Sequence, residues 1–448
     1  MVESEKTYCG INDGEKMKRI LKKINATSWL FIELVIITIV AWAVLDPAIV
    51  NFYYRLLPLG YDSQQLVYAE TTVNGIWTND ENGMPEDPYR MTDKRYEQMK
   101  RLFLDVEGVE SVYLYSDNYG AIGFSNTAYN QCFVGNDTIY LAAVEFVPNT
   151  HFYETYGLKP LPGSPSVEEL SRIEEQDNKA VLTRSGAMAL FGTDDVVGRR
   201  FHVNTSLATE FTVAAVVEDF RKMMASTICS YIIRPYALNA TQCHYIIRLK
   251  PGIDASRFVE EYGDEVIRKG NLGYNRISRL MTYDKWLQEQ ELDEGRTQEI
   301  NRSMALALFF LINLILAVVG TVWLHAKRRT EECGVRRAFG ATRRRMFFDL
   351  MWQNALLATA AVAVGLVIYL NYAYSGLTVE YGFEHCEKFY TTLGLDLPTD
   401  LRWPDRFWPH FLVVSAIVYL IMLVTVLIGT AIPALKITQV RITEALNH

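Results

Sequence analysis

The sequence predicts an α-helical membrane protein with four transmembrane helices and a large extracytoplasmic α+β domain. Three observations support this fold class: four long apolar segments, a polar stretch between the first two of them, and Lys and Arg concentrated on alternate flanks. A helix crosses the hydrocarbon core of a bilayer with about 20 apolar residues. The segments that approach or reach this length are Trp29–Leu45, Met304–Leu324, Met351–Leu370 and Phe411–Ile432.

These segments place one transmembrane helix before the large domain and three after it. The predicted parts are a tail at 1–28, a transmembrane helix at 29–47, the external domain at 48–303, a three-helix membrane domain at 304–432 with loops at 325–350 and 371–410, and a tail at 433–448. The first segment could instead be a signal peptide, because Ala41-Trp42-Ala43 resembles a cleavage site. The long basic tail before it and the Trp within the site argue against cleavage.

Basic residues predict the orientation of the chain, because Lys and Arg in short loops mark the cytoplasmic side of a membrane. Both tails carry Lys and Arg, and loop 371–410 is rich in Asp and Glu. Loop 325–350 holds the cluster Lys327, Arg328, Arg329, Arg336, Arg337, Arg343, Arg344 and Arg345. We therefore expect both termini and this loop in the cytoplasm, and residues 48–303 outside a bacterial cytoplasmic membrane.

Net charge bears on the partners of the chain, and the predicted topology places its cysteines in two compartments. The formal net charge is −8, which gives no reason to expect a nucleic-acid partner. On the predicted topology, four of the six cysteines face an oxidising compartment: Cys132, Cys229, Cys243 and Cys386. A disulfide between Cys229 and Cys243 is the first pairing to consider, and buried free thiols are the alternative.

The external region contains two similar strand–helix–strand units. The first comprises residues 65–70, a helix capped by Thr92, and 112–115, and the second comprises 244–249, 254–269 and 277–281. Two such units can close into one split α+β layer. The stretch between them is β-rich, with a short helix at 185–191, and we expect an inserted subdomain. Residues 283–303 favour helix and lead into the second span, so we expect one continuous stalk.

No enzyme site stands out in the sequence. The phosphate-binding pattern G-x-x-x-x-G-K-[ST] is absent, and the histidines show no metal-ligand spacing. Ser185 lies in R-S-G rather than in a G-x-S-x-G elbow. Two polar residues lie within predicted spans. Glu33 is either a functional carboxylate or a structural residue that reaches to the membrane interface or hydrogen-bonds Ser or Thr on a neighbouring helix. For Asn313 we expect an interhelical hydrogen bond rather than a contact with substrate.

Three motifs and the order of the spans resemble the MacB/FtsX-like permeases of ABC transporters. The segment EECGVRRAFGATRRRMFFDLMWQNALL (Glu331–Leu357) resembles the family's E-I-G-I-R-R-A-L-G-A-S/T-R loop. Pro433–Leu446 resembles the closing P-A-x-x-A-x-x-x-P-x-E-A-L segment, and Ala180–Phe220 resembles the external-domain pattern ending in V-V-G-V-V-x-D-F. The chain departs from the family at Cys333, where Ile is usual, and at Ile442-Thr443, where Pro-Val is usual.

The resemblance implies a MacB-like periplasmic domain and a mechanism of mechanotransmission. A separate cytoplasmic ABC ATPase would bind ATP, so the chain itself would carry no cofactor and no metal. The implied assembly is a homodimer or a pair of paralogous permeases in the lipid bilayer, and it could include a periplasmic adaptor or an outer-membrane factor. The residues implied in coupling to the ATPase are Glu331, Val335, Arg336, Arg337, Phe339 and Gly340. The same basic loop could instead rest on anionic lipid.

Two other functions remain open at this point. The chain could be a membrane sensor that passes an envelope signal inward without transport. It could also be a regulator of wall hydrolases of the cell-division type, although those relatives have a much smaller external domain. For the transporter, the expected work is export or release of a peptide, toxin, antibiotic, lipid or lipoprotein.

Overall fold

A computed structural model gives the fold of the protein. It describes residues 13–75, 77–79, 83, 85–86, 91–116, 121–123, 128–135, 137–204, 208–224, 230–236, 243–272, 275–293, 295–327, 335–336, 338–374, 403 and 407–439. These residues belong to two compact units. The helical unit contains the four apolar segments, and the α+β domain lies within Asn51–Glu299.

The elements follow the chain in a simple order. The helices are α1 (Asp13–Leu56), α2 (Asp93–Leu104), α3 (Phe152–Tyr156), α4 (Val167–Leu170), α5 (Arg184–Phe191), α6 (Ala255–Lys269), α7 (Tyr283–Asp293), α8 (Arg296–Lys327), α9 (Arg343–Tyr374) and α10 (Phe407–Gln439). The strands are β1 (Leu66–Val73), β2 (Thr78–Asn79), β3 (Pro85–Glu86), β4 (Val109–Ser116), β5 (Ala128–Val134), β6 (Asp137–Phe146), β7 (Lys179–Thr183), β8 (Arg200–Asn204), β9 (Ala208–Val217), β10 (Tyr231–Pro235), β11 (Cys243–Leu249) and β12 (Asn275–Thr282).

Four of these helices are long and apolar enough to cross a membrane, as predicted. The candidate spans are Ser28–Leu56, Ile300–Leu324, Arg343–Ala373 and Phe407–Lys436. Helix α1 continues eleven residues past Leu45, the last residue of the first predicted apolar segment. The sequence Asp46-Pro47 resembles a helix end, but a proline within a helix removes only one donor and is tolerated where tertiary packing compensates.

Close helix packing holds the helical unit together. Its buried core takes Leu34 and Trp42 from α1, Val318 from α8, Val362 from α9 and Val418 from α10. Small residues allow helix backbones to approach closely in a membrane. A Cβ atom at Gly365 of α9 would lie 2.8 Å from the Thr38 Cβ of α1, so this glycine permits the α1–α9 contact.

The two strand–helix–strand units form one antiparallel sheet in the order β12-β1-β11-β4. Helices α2 and α6 pack on one face through Met99, Phe103 and Phe258. The predicted N-cap at Thr92 is present, because its side chain accepts a hydrogen bond from Arg95 N. Asp254 caps α6 in the same way by accepting a hydrogen bond from Arg257 N. The predicted split α+β layer is therefore confirmed.

The inserted stretch forms a closed barrel with strand order β10-β6-β5-β8-β9-β7. Strands β8 and β9 form an antiparallel hairpin, with Phe201 opposite Phe211. The pairs β10–β6 and β7–β9 are parallel, and these long-range pairings close the barrel. The sequence predicted a β-rich insertion but not closure, because parallel pairs leave no local turn signal.

The predicted continuous stalk over residues 283–303 is wrong. Helix α7 ends at Asp293 and α8 begins at Arg296. Gly295 has a φ of +75°, and its N–H donates to the Leu292 carbonyl at 3.0 Å. Glycine adopts this left-handed conformation at low cost and commonly ends a helix. The segment therefore consists of two helices joined at Gly295.

Candidate functional site

The turn that precedes α9 is the best-defined part of the predicted coupling loop. The Phe339 N–H donates to the Val335 carbonyl at 3.2 Å, and the Ala341 N–H donates to the Arg336 carbonyl at 3.1 Å. Gly340 has a φ of +93° and ends this helical turn. Thr342 then caps α9 by accepting a hydrogen bond from Arg345 N at 3.3 Å. Glu331 and Arg337 lie outside the described residues.

The helical turn presents an apolar edge to its surroundings. Phe339 is 87% exposed and Val335 is 44% exposed. Full burial of an aromatic side chain is worth about 1.5–3 kcal/mol relative to exposure in water. Arg336 is exposed beside this edge. The turn therefore combines an uncovered aromatic side chain with positive charge, which suits a partner with an apolar groove and acidic groups.

The residues that follow the turn attach it firmly to the helical unit. Met346 and Leu350 of α9 are buried against Ala434 of α10, and Ala341 and Phe347 pack on the same cluster. Asn354 of α9 also donates to the Thr430 hydroxyl of α10 at 3.0 Å. A force applied at Phe339 would therefore reach both α9 and α10 through packed side chains.

The polar residues of the predicted spans lie in different surroundings. Glu33 on α1 lies beside the Thr321 side chain of α8, whose hydroxyl donates to the Ala317 carbonyl of its own helix at 2.9 Å. Asn313 instead donates to the Phe309 carbonyl of its own helix at 2.7 Å and is exposed. The expected interhelical hydrogen bond from Asn313 is therefore not formed among the described residues.

Sequence reasoning missed Arg221, which is fully buried in the α+β domain. Its guanidinium donates to the carbonyls of Tyr54 at 2.8 Å, Met224 at 3.0 Å and Pro58 at 3.2 Å, and also to that of Leu57. The last carbonyls of a helix have no intrahelical donors, and a cation there also opposes the negative end of the helix dipole. Arg221 therefore anchors the last turn of α1 within the domain.

The disulfide between Cys229 and Cys243 stays a prediction. Cys243 opens β11 and is buried, whereas Cys229 lies outside the described residues. Cys132 is a free, fully buried thiol in β5.

We expect Cys132 to resist alkylation in the folded protein. Burial raises the pKa of its thiol to about 12, so only about one molecule in 10⁴ carries the reactive thiolate at about pH 8. Mass spectrometry after iodoacetamide treatment should find Cys132 unmodified in the native protein and modified after denaturation. Equal labelling rates in the two states would contradict this expectation.

Two family models match the chain, in the order that its architecture requires. The MacB-like periplasmic core domain matches residues 58–263, and the FtsX-like permease C-terminal model matches residues 304–441. The chain belongs to the MacB/FtsX-like permease family of ABC transporters. This confirms the resemblance drawn from its motifs. The permease has a periplasmic domain, which is the α+β domain described above, and family membership supports a location in the inner membrane.

Solved structures of periplasmic or extracellular domains are also similar to the permease. The periplasmic region of MacB from Actinobacillus actinomycetemcomitans is 12% identical, with a TM-score of 0.31. The match covers 53% of this chain and 97% of the MacB region. The extracellular domain of the noncanonic ABC-type transporter YknZ from Gram-positive bacteria is 11% identical, with a TM-score of 0.29. The match covers 47% of this chain and 100% of the YknZ domain. A domain of a putative permease from Porphyromonas gingivalis is 15% identical, with a TM-score of 0.30. The match covers 50% of this chain and 92% of that domain. No curated protein matches the permease.

Proposed function

We propose that this permease couples ATP hydrolysis in a separate ATPase subunit to conformational work in its periplasmic domain. The observation that carries the proposal is the exposed edge formed by Val335 and Phe339 on a turn that is packed against α9 and α10. An aromatic side chain that is 87% exposed on a well-supported turn suits a protein partner. The sequence has no phosphate-binding loop of its own, so the partner supplies ATP binding.

The structure suggests which helix carries the movement. Helix α1 is uninterrupted to Leu56, and Arg221 holds its last turn within the periplasmic domain. The alternative connection, α7 to α8, is broken at Gly295. A continuous helix transmits displacement along its axis better than two helices joined by a flexible residue. We therefore propose that α1 transmits the motion, and that the joint at Gly295 bends to follow it.

The proposed assembly contains two permeases and two ATPases, with the loop at 325–350 and both termini in the cytoplasm. The second permease is another copy of this chain or a paralogue. A periplasmic adaptor or an outer-membrane factor would receive what the periplasmic domain releases. The cargo classes that fit this mechanism are a peptide, toxin, antibiotic, lipid or lipoprotein.

Replacing Phe339 with aspartate tests the proposal. We expect an ATP-hydrolysing subunit to purify with the tagged wild-type chain, and we expect Phe339→Asp to lower its yield at least tenfold. The variant loses burial worth about 1.5–3 kcal/mol and places a charge in an apolar groove. The yield is measured by quantitative mass spectrometry and by ATP hydrolysis in the purified fraction. The paired reversal Arg336→Glu plus Arg337→Glu should act in the same direction.

A matched control is Met188→Asp, which places the same charge at an exposed apolar residue of the periplasmic domain. This control should retain the ATPase at the wild-type level. If Phe339→Asp also retains it, the turn is not the docking site. If no ATP-hydrolysing protein accompanies the wild type, the transporter function is wrong and a signalling role without transport is favoured.

A further inference from the structure

A cavity of about 440 Å³ lies at the end of α1, where the chain enters the periplasmic domain. Its walls come from the last turn of α1, from residues 57–65 that follow it, from Arg221 and Met224, and from Asp284 at the start of α7. All of these residues belong to one compact unit. The volume is typical of pockets that hold small ligands, so the cavity is large enough for a headgroup-sized molecule.

Two residues of opposite charge are available to a ligand in this cavity. Arg55 is exposed, and its side chain forms no hydrogen bond or ion pair with the residues that the structure describes. On the α7 side, Asp284 Oδ1 is shielded from solvent and has no hydrogen-bond partner in the described parts of the chain. A shielded carboxylate without donors is costly, so a cationic donor beside Asp284 is favoured. The cavity therefore suits a ligand that carries an anionic and a cationic group.

The other two charged residues of the cavity wall already have partners. Asp62 accepts a hydrogen bond from Arg248 Nη2 at 2.9 Å. The guanidinium of Arg221 donates to four backbone carbonyls, among them that of Tyr54 at 2.8 Å. These two residues shape the cavity, whereas its free charges come from Arg55 and Asp284.

Apolar side chains lie beside Arg55 on the same face of α1. Phe52 precedes Arg55 by three residues and is 59% exposed, and Leu56 follows it and is 69% exposed. Residues three and four apart share one face of a helix, so the face that carries Arg55 is otherwise apolar. The candidate membrane span of α1 ends at Leu56. Arginine at the end of a span reaches the level of the lipid headgroups while apolar neighbours stay in contact with acyl chains.

We propose that this cavity binds the headgroup of a zwitterionic phospholipid of the phosphatidylethanolamine class. Arg55 binds the phosphate, for which a guanidinium has the matching geometry. The primary ammonium lies beside Asp284 and donates hydrogen bonds to its carboxylate. The acyl chains lie along Phe52 and Leu56. The lipid links the last turn of α1 to α7, and it does so whether or not an ATPase binds.

The test measures lipid binding to the full-length chain in detergent micelles by native mass spectrometry. We expect dioleoylphosphatidylethanolamine to bind at least about fivefold more tightly than dioleoylphosphatidylcholine, because a trimethylammonium group has no N–H to donate to Asp284. Soluble phosphoethanolamine at the same concentration should displace little of the lipid, because it lacks acyl chains. If it competes as well as the lipid does, the site takes a free phosphate compound and the assignment to a membrane lipid is wrong.

Two variants and one control assign the binding to this cavity. Arg55→Gln should weaken the binding of both lipids, and Asp284→Asn should abolish the preference for phosphatidylethanolamine. Asp293→Asn removes the same charge from an exposed residue at the end of α7 and should leave affinity and preference unchanged. Arg55 is exposed, so Arg55→Gln serves if Asp284→Asn does not fold. Equal binding of the two lipids by the wild type, or wild-type affinity in Arg55→Gln, would overturn the proposal.

Discussion

Replacing Arg221 with methionine is expected to lower the free energy of unfolding of the periplasmic domain by about 3–5 kcal/mol. The methionine side chain fills much of the space but donates no hydrogen bonds. Four carbonyl groups, including those of Tyr54 and Pro58, would then lose the hydrogen bond from this guanidinium. The last turn of α1 should fray, because Arg221 would no longer tie the Tyr54 carbonyl to the domain and the local Leu57 N–H, at 3.2 Å, does not make that connection.

Two measurements check this expectation. Denaturant unfolding of the full chain gives the change in free energy, and hydrogen–deuterium exchange over residues 51–60 reports the release of the last turn of α1. The control is Arg200→Met, since Arg200 is exposed and its ion pair with Glu210 is long, at 3.4 Å. Such a surface pair contributes about 0–1 kcal/mol. An effect of Arg221→Met no larger than that of the control would show that Arg221 is not an anchor.

Replacing Gly365 with leucine is expected to separate α1 from α9. A Cβ atom at this position would lie 2.8 Å from the Thr38 Cβ and 3.1 Å from the Val35 carbonyl oxygen, and backbone cannot yield as a flexible side chain does. Overpacking of this kind costs about 1–3 kcal/mol, and leucine adds three more carbon atoms beyond Cβ. We expect the upper end of that range and a marked loss of folded protein in detergent.

The matched control lies in another span. A Cβ atom at Gly320 of α8 would meet nothing within 4 Å among the described residues, so Gly320→Leu adds the same side chain without a clash. Thermal unfolding and size-exclusion chromatography of both variants compare the two sites. If both variants were equally stable, the close α1–α9 contact would not exist in the folded protein.

Sequence patterns predicted the structural features that are set by residues close together in the chain. The apolar segments and the N-cap at Thr92 are set by residues within a few positions of each other. Gly295 was the exception among local features. A single glycine in a polar helical segment does not show whether it will adopt a positive φ, because tertiary packing decides that.

The remaining features depend on residues far apart in sequence. Arg221 looks like an ordinary surface arginine until its distance to the end of α1 is known. Arg55 and Asp284 line one cavity although they are far apart in the chain, and neither lies in a recognisable motif. Barrel closure also depends on the parallel pairs β10–β6 and β7–β9. A single sequence carries no signal for such contacts, because no local period or turn reports them.

The position at which the barrel joins the sheet has a consequence for how this domain could change. Ser116, the last residue of β4, is paired with Cys243, the first residue of β11, so the chain leaves and re-enters the sheet at one point. Exchange of such a module leaves the strand register of the host sheet intact, provided that the replacement rebuilds the core that β6 shares with β4 through Val144 and Tyr113. Related permeases could therefore acquire new external specificity by replacing the barrel as a cassette, and chimaeras joined at these two residues offer a direct route to engineering it.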